Sequence, residues 1–285
     1  MLCRLASSRM PFSLESLAAL ATILGAVVSV VALLQSRSWL VVTSLLFICL
    51  SMLAVVYARR ERLALNAASN VIEGRSIDSL NIANLRRRLN RTLVIQDAHH
   101  TARIEGEDLT ITWRYSGYCR AKGESAMEFS IDSDDNIAFD KLNCVAYDIG
   151  HDPLMTHEIR PVLIGTEGIS KKLSVPFLEP LKANHSFDVL LKCTLPRCVK
   201  AGFGYYTSTL SFVQDRVGRC VVHLIFVGAA PSWMRVYEST PQRPTTLLRT
   251  LPPVLREPGI CEYVDVAEDR QGQSARVYLF RRDTV

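Results

Sequence analysis

No serine of this chain sits in a G-x-S-x-G elbow, so the strand-to-helix turn that exposes a hydrolase nucleophile is not written into it. No glycine-rich stretch opens a helix. Gly202-Phe203-Gly204 precedes a strand-like run, whereas a phosphate cradle needs a helix N-terminus behind it. A calcium loop is also missing. Asp132, Asp134 and Asn136 imitate its start, but Ile137 stands where glycine is required and Asn143 where glutamate is required. The pair His99-His100 lacks a third ligand at useful spacing, and His151, His157, His185 and His223 are scattered. Cys193 and Cys198 enclose four residues, a spacing zinc permits, but no second Cys/His pair joins them. These absences lead to the expectation of no metal, no cofactor and no enzymatic activity.

Charge is missing from two long stretches near the N-terminus. Leu17–Leu34 and Trp39–Ala58 hold no ionisable charge, and only Gln35-Ser36-Arg37-Ser38 separates them. A helix needs about 20 apolar residues to cross a bilayer. Both runs therefore read as spans, and the short link folds them into a transmembrane hairpin. Trp39 and Tyr57 bracket the second run as interfacial rings do. Arg4 and Arg9 precede the hairpin and Arg59, Arg60 and Arg62 follow it, which places both termini in the cytoplasm and the chain in the inner membrane. Ala21, Gly25 and Ser29 recur at every fourth position. Small residues at that spacing serve either packing within the hairpin or self-association into a homo-oligomer.

Three segments follow from this: 1–58 as the hairpin, 59–92 as a basic helical connector, and 93–285 as a cytosolic β-rich domain. The connector carries a net charge of +5 against −2 for the domain. Six of its eight arginines, Arg59, Arg60, Arg62, Arg86, Arg87 and Arg88, suit a lipid surface, and the acidic balance of the domain argues against a DNA or RNA partner. Gly74 is expected to interrupt the connector helix, with a second helix starting at Ser76.

From Leu93 onward the texture is one of short strand-like runs. They are Leu93–Gln96, Leu109–Tyr115, Ala126–Ile131, Asn143–Asp148, Ile159–Ile164, Lys172–Phe177, Phe187–Cys193, Tyr205–Phe212, Cys220–Val227, Met234–Glu238, Glu262–Val266 and Ala275–Phe280. Many short strands at regular spacing imply a sandwich or barrel, either as one domain or as two with a seam near 151–156. Residues 241–259 read as a long loop holding at most one short helix, around Leu247–Leu251. The eight cysteines are dispersed and read as buried thiols rather than a disulfide framework.

The remaining candidates are aromatic and cationic side chains near strand ends: Trp113, Arg114, Tyr115, Tyr118, Arg120, Tyr205 and Tyr206. Arginine beside aromatic rings can pair a phosphate while the rings stack on a base. Core packing accounts for the same aromatics.

The hairpin, the basic connector and the strands after Leu93 together resemble the bacterial antiphage effectors with two transmembrane helices and a β-strand-rich domain. The resemblance implies an antiviral defence effector whose β domain binds a cyclic nucleotide and drives the hairpins to assemble and disrupt the membrane. The alternative is a membrane-tethered protein-interaction module with the hairpin as a passive anchor.

Overall fold

The computed structural model describes residues 38–86, 90, 92–133, 136–167, 169–199, 202–210, 216–240, 243–270, 272 and 274–282. The chain divides into two compact units at Ala67 and Ala68.

Among the described residues one α-helix, α1, runs over Ser38–Arg86, 49 residues without a break. Gly74 does not interrupt it. One glycine inside a helix costs about 1 kcal/mol relative to alanine, which good helix formers on either side absorb. The expected transmembrane hairpin is corrected here. No helix among the described residues is long and apolar enough to cross a membrane. The apolar part of α1 is punctuated by Thr43, Ser51 and Tyr57 and runs directly into Arg59, Arg60, Glu61 and Arg62. The multi-pass inner-membrane location and the cytoplasmic placing of both termini lose their basis with it. The finding concerns helices and does not bear on strands. The first apolar run, Leu17–Leu34, with Ala21, Gly25 and Ser29, lies outside the described residues, as do Arg87 and Arg88. Arg59, Arg60 and Arg62 are exposed on α1, and Arg86 is its last residue.

The rest is mostly β-sheet. In chain order the strands are β1 (Leu93–Glu105), β2 (Asp108–Cys119), β3 (Glu124–Asp132), β4 (Val145–Asp148), β5 (Val162–Glu167), β6 (Ser170–Leu181), β7 (Ser186–Leu195) and β8 (Gly202–Thr209). Then come β9 (Val217–Val227), β10 (Pro231–Thr240), β11 (Arg243–Thr250), β12 (Leu255–Glu257), β13 (Ile260–Arg270) and β14 (Ala275–Arg282). They form three sheets rather than two. The large sheet has the order β12-β13-β9-β1-β2-β7-β4, a second has β11-β10-β14-β8, and a third has β3-β6-β5. Most neighbours are antiparallel, but β1 and β9 run parallel at the centre of the large sheet. One hydrophobic core draws on all three sheets, with Ile104 and Ile111 from the first, Val236 and Phe280 from the second, and Phe129 and Leu173 from the third.

Every strand expected from sequence overlaps an observed one. The region read as a loop with at most one short helix contains β11 and β12 instead. Thr245 and Thr246 are β-branched and favour extended backbone, and β10 supplies a pairing partner through Tyr237–Leu247 and Glu238–Thr246.

A bulge in β1 determines what faces inward. Ile95 pairs with Gly117 and Asp97 with Ser116, so Gln96 is the extra residue. Burial accordingly switches phase, with Leu93 and Ile95 inside before the bulge and Ala98, His100, Ala102 and Ile104 inside after it. Gly117 makes the close approach feasible, because a Cβ there would collide with the Val94 carbonyl.

Candidate functional site

Strand β2 presents Leu109, Ile111, Trp113 and Tyr115 on one face, at the two-residue period of a pleated strand. Strand β8 is an edge strand of the second sheet, and the end of β3 approaches from the third. Where the three meet there is a cavity of about 140 Å³. Five aromatic rings line it: Trp113, Tyr115, Phe129, Tyr205 and Tyr206. Its polar lining includes His100, Asp132, Ser130, Ser133 and Thr207. Among the described residues no arginine or lysine lines it.

The cavity thus brings together four of the seven sequence candidates, Trp113, Tyr115, Tyr205 and Tyr206. The other three lie elsewhere. Arg114 points to the opposite face of β2 from Trp113 and makes a two-pronged bond to Asp188, with Nε to Oδ1 at 2.9 Å and Nη2 to Oδ2 at 2.6 Å. That carboxylate, as hydrogen-bond acceptor, raises the guanidinium's pKa above its ordinary value. Tyr118 pairs with Val94 and Ser186 near the end of β2. Arg120 follows β2, and its backbone N–H donates to the Thr92 carbonyl. The nucleotide-binding expectation is corrected on this ground. The two arginines meant to hold a phosphate do not line the cavity, so the rings and the cations do not form one site.

Sequence reasoning missed His100. It is 2% exposed and sits between Ala98 and Ala102, whose small side chains leave it room. Its Nε2 lies 2.8 Å from the Tyr115 hydroxyl and its Nδ1 lies 3.1 Å from the Ser208 hydroxyl. Behind Ser208 stands Arg270, itself 3% exposed. Arg270 Nη1 donates to Ser208 Oγ at 2.9 Å, Nη2 to the Ser208 carbonyl at 2.6 Å, and Nε to Ser274 Oγ at 3.0 Å. Ser208 Oγ accepts from Arg270 and still has a hydrogen and a second lone pair to offer, so two tautomers of His100 satisfy this chain: Ser208 donates to a bare Nδ1 while Nε2–H donates to Tyr115, or Nδ1–H donates to Ser208 while the Tyr115 hydroxyl donates to Nε2. Burial, then the nearby Arg270 charge, then His99, pull the His100 pKa down from 6.5 to about 3. Burial is also the main reason the Tyr115 pKa stands well above 10. The imidazole is therefore neutral at physiological pH, with both nitrogens engaged. The chain of bonds crosses from β1 and β13 of the large sheet to β8 of the second, so it pins the two sheets together at the cavity floor.

The sequence signal for His100 was the run Ala98-x-His100-x-Ala102-x-Ile104. It is out of phase with Leu93 and Ile95, and only the bulge reconciles the two.

A second buried network joins the same sheets further along. Asp265 of β13 accepts from Arg276 Nη1 at 3.0 Å and from the Tyr278 hydroxyl at 2.7 Å, and pairs with Arg249. Arg276 Nε also donates to Glu238 at 2.8 Å. On the other flank, buried Asp148 of β4 accepts the Leu178 backbone N–H at 3.0 Å and pairs with His151 Nδ1 at 2.7 Å, which ties the large sheet to the third. Among the described residues no group of three His, Cys, Asp or Glu side chains could hold a metal ion.

No family model matches the chain. No curated protein matches it either. Among solved structures it is similar to the M1 zinc metallopeptidase of Deinococcus radiodurans. A point mutant of that enzyme matches at 14% identity and a TM-score of 0.42, and the same mutant bound to a Tyr-Ser-Ala substrate at 13% and 0.41. The unmutated enzyme matches at 14% and 0.39. Each match covers 66% of this chain and 42% of the peptidase. Likeness at this level carries nothing over to the chemistry of this chain. The antiphage assignment finds no counterpart among these neighbours.

Proposed function

We propose that the β-rich unit is a receptor for a small ligand with an aromatic or apolar body and a neutral or positively charged polar end, bound at the cavity where the three sheets meet. The observation that carries this reading is the lining, which combines five aromatic rings and the Asp132 carboxylate with no arginine or lysine among the described lining residues. Aromatic faces attract cations by about 0.5–2 kcal/mol per contact, while a phosphate would meet no cation among the described lining residues. Binding without turnover is the better reading, because His100 is neutral and occupied at both nitrogens and so is poorly placed for proton transfer.

Phenethylamine, phenylacetate and adenosine monophosphate form a sufficient probe set for the full chain. Tryptophan fluorescence follows Trp113 against Trp39 and Trp233, the other two tryptophans of the sequence. Phenethylamine is expected to bind at least roughly tenfold tighter than the two anions, a difference of about 1.4 kcal/mol. Trp113→Ala should abolish its binding. Preference for either anion, or equal binding by the variant, overturns the proposal.

A protein-interaction module is the second reading, and β5 favours it. This strand is an edge of the third sheet and exposes Val162, Leu163 and Ile164, a template to which an extended apolar peptide can add a strand. Trp113→Ala separates the readings, since it leaves that edge untouched.

A further inference from the structure

Strands β4 and β7 are antiparallel, with Val145 opposite Lys192 and Ala146 opposite Leu191. One step further along this register Cys144 stands opposite Cys193. Their sulfurs are 2.6 Å apart, well inside ordinary contact and close to the bond length of about 2.05 Å in a disulfide. Directly opposed residues of an antiparallel pair have Cα atoms about 4.5–5.5 Å apart, within the range that a disulfide spans. Asn143, in the left-handed region at φ 44°, turns the chain so that Cys144 enters this position. Both cysteines are free thiols.

We propose that Cys144 and Cys193 are a redox site, a thiol pair that small-molecule disulfides convert reversibly into a cross-strand staple between β4 and β7. The two cysteines are unequal, and the difference sets the order of events. Cys193 is fully buried, and burial, with the Cys144 sulfur beside it, holds its proton firmly. Cys144 is only half-buried, so it meets the oxidant first. The Cys144 thiolate attacks one sulfur of oxidised glutathione, forming a mixed disulfide and releasing one glutathione thiolate. Cys193 then gives up its proton and attacks the Cys144 sulfur, closing the Cys144–Cys193 bond and releasing the second glutathione. Two protons and two electrons leave the protein, and one oxidised glutathione becomes two reduced molecules. β4 is four residues long at the edge of the large sheet, and its Asp148 holds the third sheet. The staple therefore secures the strand on which that junction depends. It also fixes β7, whose last residue, Leu195, lines the cavity.

The test uses the fully reduced full-length chain, treated with oxidised glutathione and then unfolded in an alkylating reagent. Of the eight thiols, six should take the reagent, the intact mass before alkylation should be lower by two hydrogens, and a linked peptide should join residues 144 and 193. Closing a loop of this length should raise Tm by about 5–15 °C, and reductant should reverse the rise. Cys144→Ser, at the half-buried position, keeps the fold testable and should show neither the link nor the shift. Cys193→Ala serves as the second variant. The proposal is overturned by a stable glutathione adduct at Cys144 without closure, by unlinked 144 and 193 peptides while other cysteines oxidise, or by an equal Tm rise in Cys144→Ser.

Discussion

Acidification should destabilise this protein through His100 from about pH 6.5 downward. The ring is buried and neutral, with a pKa near 3 in the folded state against 6.5 when free. The unfolded chain therefore takes up the proton first. The stability that neutral His100 contributes is complete above about pH 6.5 and is lost progressively as pH falls toward 3. At pH 5 the unfolded imidazole is almost fully protonated and the folded one hardly at all, which costs about 2 kcal/mol relative to pH 7.5. With an m-value of about 1–3 kcal/mol per molar urea, the unfolding midpoint should drop by roughly 0.7–2 M over that interval. His100→Gln provides the control. Glutamine can bond Tyr115 and Ser208 but cannot titrate, and the other histidines remain in both proteins. Urea titrations of both proteins at several pH values from 7.5 to 5 measure the difference. The wild type should lose about 2 kcal/mol more than the variant. Parallel curves would refute the reasoning, because they would mean that His100 takes a proton in the folded state as readily as in the unfolded one.

Two further outcomes follow from the sheet-joining carboxylates. Asp265→Ala should cost about 3–5 kcal/mol in urea unfolding, because it strands the buried Arg276 guanidinium, whereas Arg249→Ala removes a half-exposed partner and should cost under about 1 kcal/mol. The reverse order would mean that Arg249 anchors the network. Asp148→Ala should cost about 1–3 kcal/mol and accelerate hydrogen exchange at the Leu178 amide, whose acceptor it removes. Unchanged exchange there would show that the third sheet is held some other way.

Strand positions were legible because alternation is a local property. Leu109-x-Ile111-x-Trp113-x-Tyr115 shows its buried face directly, and the same alternation could have placed Arg114 on the face opposite Trp113. Residues 241–259 were not legible, because proline and threonine mark loops and edge strands alike, and only the pairing of β11 with β10 decides between them. His100 was hidden by the bulge at Gln96. A one-residue insertion moves every later side chain to the other face, and nothing at His99-His100 itself announces it. The parallel pairing of β1 with β9 was invisible for a different reason. It joins two segments far apart in sequence, and local pattern carries no trace of such a partner.

That same pairing shapes how the chain must be made. β2 follows β1 after a two-residue turn and can cover one side of it at once, but the other side waits for β9, roughly 120 residues later. At about 5–20 residues per second of synthesis, the open side of β1 stays uncovered for roughly 6–24 s. The first β-strand of the unit is thus finished among the last, and the nascent chain carries an unpaired strand edge for most of its elongation.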